Sequence, residues 1–209
     1  MDKILNTASY GICLFSLEVL QGFLKEKKIR SKKLLEKFQK NKELYLSTQK
    51  EGIWVPIPQI NSVDYVVKLE GHDESFDDEW EQKVEYDGFN IEIKEGIWIS
   101  DIGSFLEFNA SEYSGNEGTY KTPYGVTHWF SENERFYRTL DGYMEYTDFK
   151  YNVPSGKYLL SIKGFVRKQL LEYPNPNCGF FFSLVKVDEF DGFKNPREEI
   201  YNFNIGSMP

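Results

Sequence analysis

The sequence predicts an α+β protein, mainly β, in which an N-terminal helical segment packs on an antiparallel β-sandwich or strongly twisted sheet. Three observations carry this expectation. The first 50 residues hold apolar side chains three and four apart among lysines, and after Gly52 the texture changes to short aromatic and β-branched runs. The 209 residues include 17 Phe, 14 Tyr and 4 Trp, enough burial area for one compact unit without staples. Residues 1–50 are therefore expected as a helical N-terminal segment and residues 51–209 as the β body, with no Gly/Ser linker between them.

Within the helical segment, Leu14, Leu17, Leu20 and Leu24, widened by Phe15, Val19 and Phe23, form the stripe of an amphipathic helix from Ile12 to Leu24. At about 13 residues, with Glu18 and Gln21 inside it, the stretch reads as neither a membrane span nor a signal peptide. A second helix is expected from Ser31, its N-cap, to Leu46, with Leu34, Leu35, Phe38 and Tyr45 on one side and lysines on the other.

In the body, strands are expected near 53–57, 63–69, 83–86, 89–94, 97–100, 104–109, 126–130, 135–138, 143–153, 158–167, 179–188 and 200–205. Asp87-Gly88, Asp141-Gly142 and Asp191-Gly192 supply the positive-φ positions of tight hairpin turns. The clearest hairpin joins the alternating run Tyr143 to Val153, through Pro154-Ser155-Gly156, to Tyr158. The run from Gly179 to Val187, apolar on both faces, reads as a central strand. Glu-Gly-Ile-Trp occurs at both 51–54 and 95–98, which places Gly at a bend and Trp in the core or a groove twice over.

Charge is unevenly placed. The chain totals −8, yet residues 25–50 hold ten Lys or Arg against three Glu, and residues 64–117 hold 16 acids against three lysines. That balance argues against nucleic acid or a membrane as partner, since the acidic body would repel phosphate beyond the reach of the basic stretch. The basic stretch reads as a solvated helix face, and its docking on the chain's own acidic block is the competing use of those carboxylates.

No catalytic set is legible. There are two histidines, His72 and His128, and no nucleophile elbow; Ser47 to Lys50 has Ser-x-x-Lys spacing without its companion motifs. Cys13 and Cys178 read as buried thiols of a reducing, cytoplasmic compartment. Scattered His and Cys argue against zinc, and no phosphate or dinucleotide cradle occurs, so neither metal nor cofactor is expected. Asp73, Ser75, Asp77 and Glu79 alternate like the first ligands of a calcium loop, but Asp78 and Val84 stand where Gly and Glu belong. A carboxylate pair on strand ends, as a glycosidase-type hydrolase uses, needs no local motif.

The candidate partner-binding residues are Asp73, Glu74, Phe76, Asp77, Asp78, Glu79, Trp80 and Glu81. Carboxylates steer a basic partner and aromatic rings supply the desolvated contact. In size, charge and texture, resting on residues 73–81 and 86–95 and on the strand-turn-strand of 143–166, the chain resembles the immunity proteins of bacterial toxin systems, contact-dependent inhibition and other polymorphic toxins among them. The resemblance implies a non-enzymatic inhibitor whose carboxylates stand in for substrate phosphates at the active site of a cognate basic toxin, a nuclease in many such systems. A carbohydrate- or calcium-dependent binding module, and a hydrolase using a carboxylate pair, are the alternatives.

Overall fold

The computed structural model describes residues 2–121 and 125–207; the last two residues of the expected β body lie outside them. The chain is mainly β, of the α+β type, and its mixed sheet curls until it nearly closes like a barrel. It does not split into the two stacked sheets of a sandwich.

Two strands come first: β1 (Lys3–Asn6) and β2 (Gly11–Phe15). Three helices follow, α1 (Leu17–Glu26), α2 (Leu34–Lys40) and α3 (Lys42–Lys50). Next are β3 (Trp54–Pro58), β4 (Asp64–Leu69), β5 (Trp80–Ile93), β6 (Ile97–Asp101), β7 (Gly118–Lys121), β8 (Thr127–Phe130) and β9 (Glu134–Arg138). The sheet is completed by β10 (Met144–Tyr151), β11 (Gly156–Arg167) and β12 (Cys178–Val187). Along the sheet the order is β3-β2-β6-β10-β1-β4-β12-β11-β5, with β7, β8 and β9 attached through β10. Two pairings, β1 with β10 and β12 with β4, are parallel, so the body is mixed where an antiparallel one was expected. At the seam between the ends, the Glu92 N–H donates to the Gly52 carbonyl at 2.7 Å and the Asn90 amide to the Lys50 carbonyl at 3.2 Å.

The N-terminal segment is not wholly helical. Residues 11–15 form a buried strand between β3 and β6, and the helix begins at Leu17. The reason is visible in the core: Ile12 and Leu14 face the barrel interior, while Cys13 and Phe15 face a second core under the helices. A strand buried on both sides loses the alternation that would distinguish it from a helix. The second expected helix is also broken. Asn41 at φ −122° and ψ 94° interrupts it and caps α3 by accepting the Leu44 N–H, while Ser31 merely accepts the Lys33 N–H in a turn.

The two Gly-Ile-Trp segments enter the strands on either side of β2, where Trp54 and Trp98 both stand opposite Phe15. Trp54 is fully buried, stacks on Phe105 at 4.9 Å and donates its indole N–H to Thr48 of α3 at 2.9 Å. It thereby fixes the helical layer to the sheet.

Three turn expectations fail. Asp87-Gly88 is no hairpin but a bulge inside the 14-residue β5, opposite Ser161 of β11, and Gly88 takes φ 77° there. β10 and β11 follow one another without pairing: β10 joins β6, β9 and β1, and β11 joins β12 and β5. No strand follows Asp191-Gly192, and the expected strands at 104–109 and 200–205 are 3₁₀ turns and irregular chain. β12 does run centrally between β4 and β11, with Cys178 to Phe182 buried.

Candidate functional site

The acidic block lies in the connection from β4 and at the start of β5. Its two rings are occupied within the protein. Trp80 is only 7% exposed and lies under the Arg167 guanidinium at 4.5 Å, and Phe76 stacks on Phe165 at 4.6 Å and against Trp80 at 4.7 Å. Gly179 lacks a side chain where a Cβ would come 2.4 Å from the Phe76 ring. In the unbound chain Phe76 and Trp80, expected as desolvated anchors for a partner, clamp the loop to β11 and β12.

Several carboxylates are likewise engaged. Asp73 accepts the Leu69 N–H at 2.9 Å and lies 3.7 Å from Lys3; Glu79 pairs with Arg167 at 2.6 Å, Glu81 with Lys83 at 3.1 Å, and Asp77 accepts the Glu79 N–H. Of the side chains that alternate like calcium ligands, Asp73, Asp77 and Glu79 thus go to separate partners. Glu74 and Asp78 are exposed and, among the described residues, make no ion pair. Nor does any ion pair among the described residues join this block to the basic helices, whose ten Lys and Arg from 25 to 50 are all exposed.

A different site is assembled where three neighbouring strands begin or end. Asn6 closes β1, Asp64 opens β4 and Glu145 stands second in β10. The ladder sets Asn6 opposite Asp64 and Leu5 opposite Tyr146, and the Asn6 amide donates to Asp64 at 3.0 Å. Burial is the main cause that holds both Asp64 and Glu145 above the ordinary carboxylate value; Asp64 adds to the rise at Glu145, and Asn6 opposes it at each. Both effects work against the charged form at this pair.

Around this pair lie two adjoining cavities of about 400 and 470 Å³, which share Asp64, Glu145, Tyr173 and Pro174. Their walls and rim carry large apolar side chains left in solvent: Tyr173 at 78%, Leu170 at 71% and Tyr143 at 56% exposure. Met144, Ile4 and Val63 extend the same surface. The acidic loop adjoins this groove at two points. Lys3 lines it and faces Asp73, while Val166 lines it next to Arg167, the partner of Glu79. None of these groove residues belongs to the site expected from sequence.

A separate buried polar cluster ties β9 and β10 to the 3₁₀ turn Ala110–Tyr113. Arg135, 5% exposed, pairs with Asp148 at 3.1 Å and with Glu112, and its guanidinium also reaches Tyr113 and Tyr120. Asp148 further accepts from Tyr113 at 2.9 Å and from Thr147 at 2.7 Å. Nearby Asp101 is pushed up to about 7, chiefly by burial, although the Gly103 and Ser9 backbones bond to it. Neither thiol is primed as a nucleophile: burial raises Cys13 well above its ordinary value and Cys178 to about 11. His128 stacks on Tyr120 and is held below its ordinary value by burial and then by Arg135. Among the described residues, no three His, Cys, Asp or Glu side chains converge as a metal site, and no helix is long and apolar enough to cross a membrane.

No protein-family model, curated protein or solved structure matches the chain. Its class rests on its own fold and surface: a mainly β chain, nearly closed like a barrel, with an apolar and acidic groove across three strand ends.

Proposed function

We propose that this protein is a binding inhibitor of a basic protein, in the manner of a toxin-immunity protein, and that it grips its partner with the groove around Asp64 and Glu145. One observation carries the reading. Exposed Tyr173, Leu170 and Tyr143 surround a pair of carboxylates, the combination of desolvating rings and charge that an interface with a Lys- or Arg-bearing partner uses. Glu74 and Asp78 on the neighbouring loop then act at longer range, steering the encounter.

The test is capture from the native host at low and high salt, with the captured protein identified, purified and titrated against the wild type and Tyr173→Ala. A basic protein whose affinity drops in the variant supports the reading; a partner bound equally by both removes the groove from the interface. The same carboxylate pair favours a second reading, a hydrolase acting on a neutral polymer. Hydrolysis of a glycan by the purified protein, abolished by Asp64→Asn and by Glu145→Gln, would replace the inhibitor reading.

A further inference from the structure

A cavity of about 930 Å³ lies elsewhere and shares no lining residue with the groove. It is bounded by the β1–β2 turn, helix α2, the chain after β3 and the C-terminal residues 196–203. Two of its lining residues, Tyr10 and Gln59, take φ 57° and 59° although neither is glycine. Such left-handed backbone is sparsely populated by L side chains and persists only where the surroundings impose it. Here the Tyr10 carbonyl accepts the Ile60 N–H at 3.2 Å and locks one turn to the other. The wall is thus held in a shape that its local sequence does not favour.

Arg197 supplies the charge. Its guanidinium lies 4.1 Å over the Tyr45 ring and 5.8 Å over Trp54, and Tyr45 is itself held by a 2.7 Å hydrogen bond to Asn195. Burial lowers the Arg197 pKa from its ordinary value, and among the described residues no carboxylate pairs with its side chain. A guanidinium fixed by its flat face and partly out of water, with no acceptor for its N–H groups among the described residues, is short of an anion. Glu198 and Glu199 also line this cavity, and both are exposed. They disfavour a polyanion and suit a ligand that carries a donor or positive group at its other end.

We infer that this cavity binds a small zwitterionic carboxylate of the amino-acid class, its carboxylate on Arg197 and its ammonium toward Glu198 and Glu199, with Gln39 and Gln59 as hydrogen-bonding walls. The inference is independent of the inhibitor reading.

The experiment is an amide-NMR titration of the whole chain with 4-(aminomethyl)benzoate and with its neutral-headed analogue 4-(aminomethyl)benzamide. The acid should saturate, moving the signals of Tyr10 and Gln59, and bind about tenfold or more tighter than the amide, the value of a charge-assisted bidentate contact. Arg197→Met keeps a side chain over Tyr45 and should lower the acid's affinity to that of the amide, with the unfolding transition checked alongside. Failure of the acid to saturate, shifts confined to other residues, or equal affinity for acid and amide in the wild type would each overturn the assignment. The wild-type comparison decides the matter even where the variant does not fold.

Discussion

Arg135→Met is the perturbation whose size the structure defines best. The side chain is 5% exposed and its two carboxylate partners are buried as well, Glu112 at 7% and Asp148 at 0%. Removing the guanidinium leaves both acids without a counter-charge, and Tyr113 and Tyr120 without the group their hydroxyls meet. Breaking a buried pair from one side costs about 3–5 kcal/mol, since the stranded charge is out of water. Methionine fills much of the arginine stem's volume, so the loss reports charge more than cavity. Urea unfolding followed by tryptophan fluorescence at neutral pH should show a lower midpoint with unchanged slope. Replacing Arg135, Glu112 and Asp148 together by apolar residues of similar volume should recover most of the stability. A change below about 1 kcal/mol for Arg135→Met, in the range of exposed pairs, would refute the view that this cluster holds β9 and β10 in place.

Three further outcomes are expected. Asp101, with its carboxyl raised from 3.8 to about 7, binds a proton in the folded chain that the unfolded chain releases, so its contribution falls as pH rises from about 4 to about 7; stability against pH should lose that downward slope in Asp101→Asn, and an unchanged slope would assign it to another group. Gly52→Ala should destabilise by about 1–3 kcal/mol, because residue 52 takes φ 68° and a Cβ there comes 2.9 Å from both the Glu92 nitrogen and the Phe190 ring at the sheet's seam; thermal unfolding reads this directly. Once a partner is in hand, Glu74→Lys with Asp78→Lys should slow association and flatten its salt dependence, whereas Tyr173→Ala should speed dissociation with stability unchanged; stopped-flow binding separates the two.

Local chemistry was legible in the sequence and long-range pairing was not. β4, β6, β9 and β10 follow from alternation and turn residues within a residue or two, because both signals are local. β2 was lost to the helical reading since its two faces serve two cores. The alternation of residues 143–153 correctly marks a strand but carries no information on its neighbour, and sequence adjacency suggested β11 where the fold supplies β6, β9 and β1. Asp87-Gly88 has the composition of a hairpin turn, yet β11 runs past it uninterrupted and the pair becomes a bulge.

Residues 73–81 are largely engaged within the chain for a related reason. Charge density along the chain picks out residues 73–81, where acids crowd together, but crowding in sequence requires local compensation in space. Lys3, Lys83 and Arg167 engage Asp73, Glu81 and Glu79, and the rings between them close over Phe165 and beneath Arg167. The groove takes Asp64 from β4, Glu145 from β10, Glu134 from β9, Asp2 ahead of β1 and an amide from β1, with Tyr173 and Leu170 from the loop before β12. None of these lies within residues 73–81, and no short window of sequence collects them; the parallel pairing of β1 with β10 and the antiparallel pairing of β1 with β4 bring them together. Rings set among carboxylates thus also occur at residues distant from one another in the chain. Among the described residues, Glu74, Asp77 and Asp78 of the dense acidic block are exposed and make no ion pair, which suits them to attraction at a distance more than to contact.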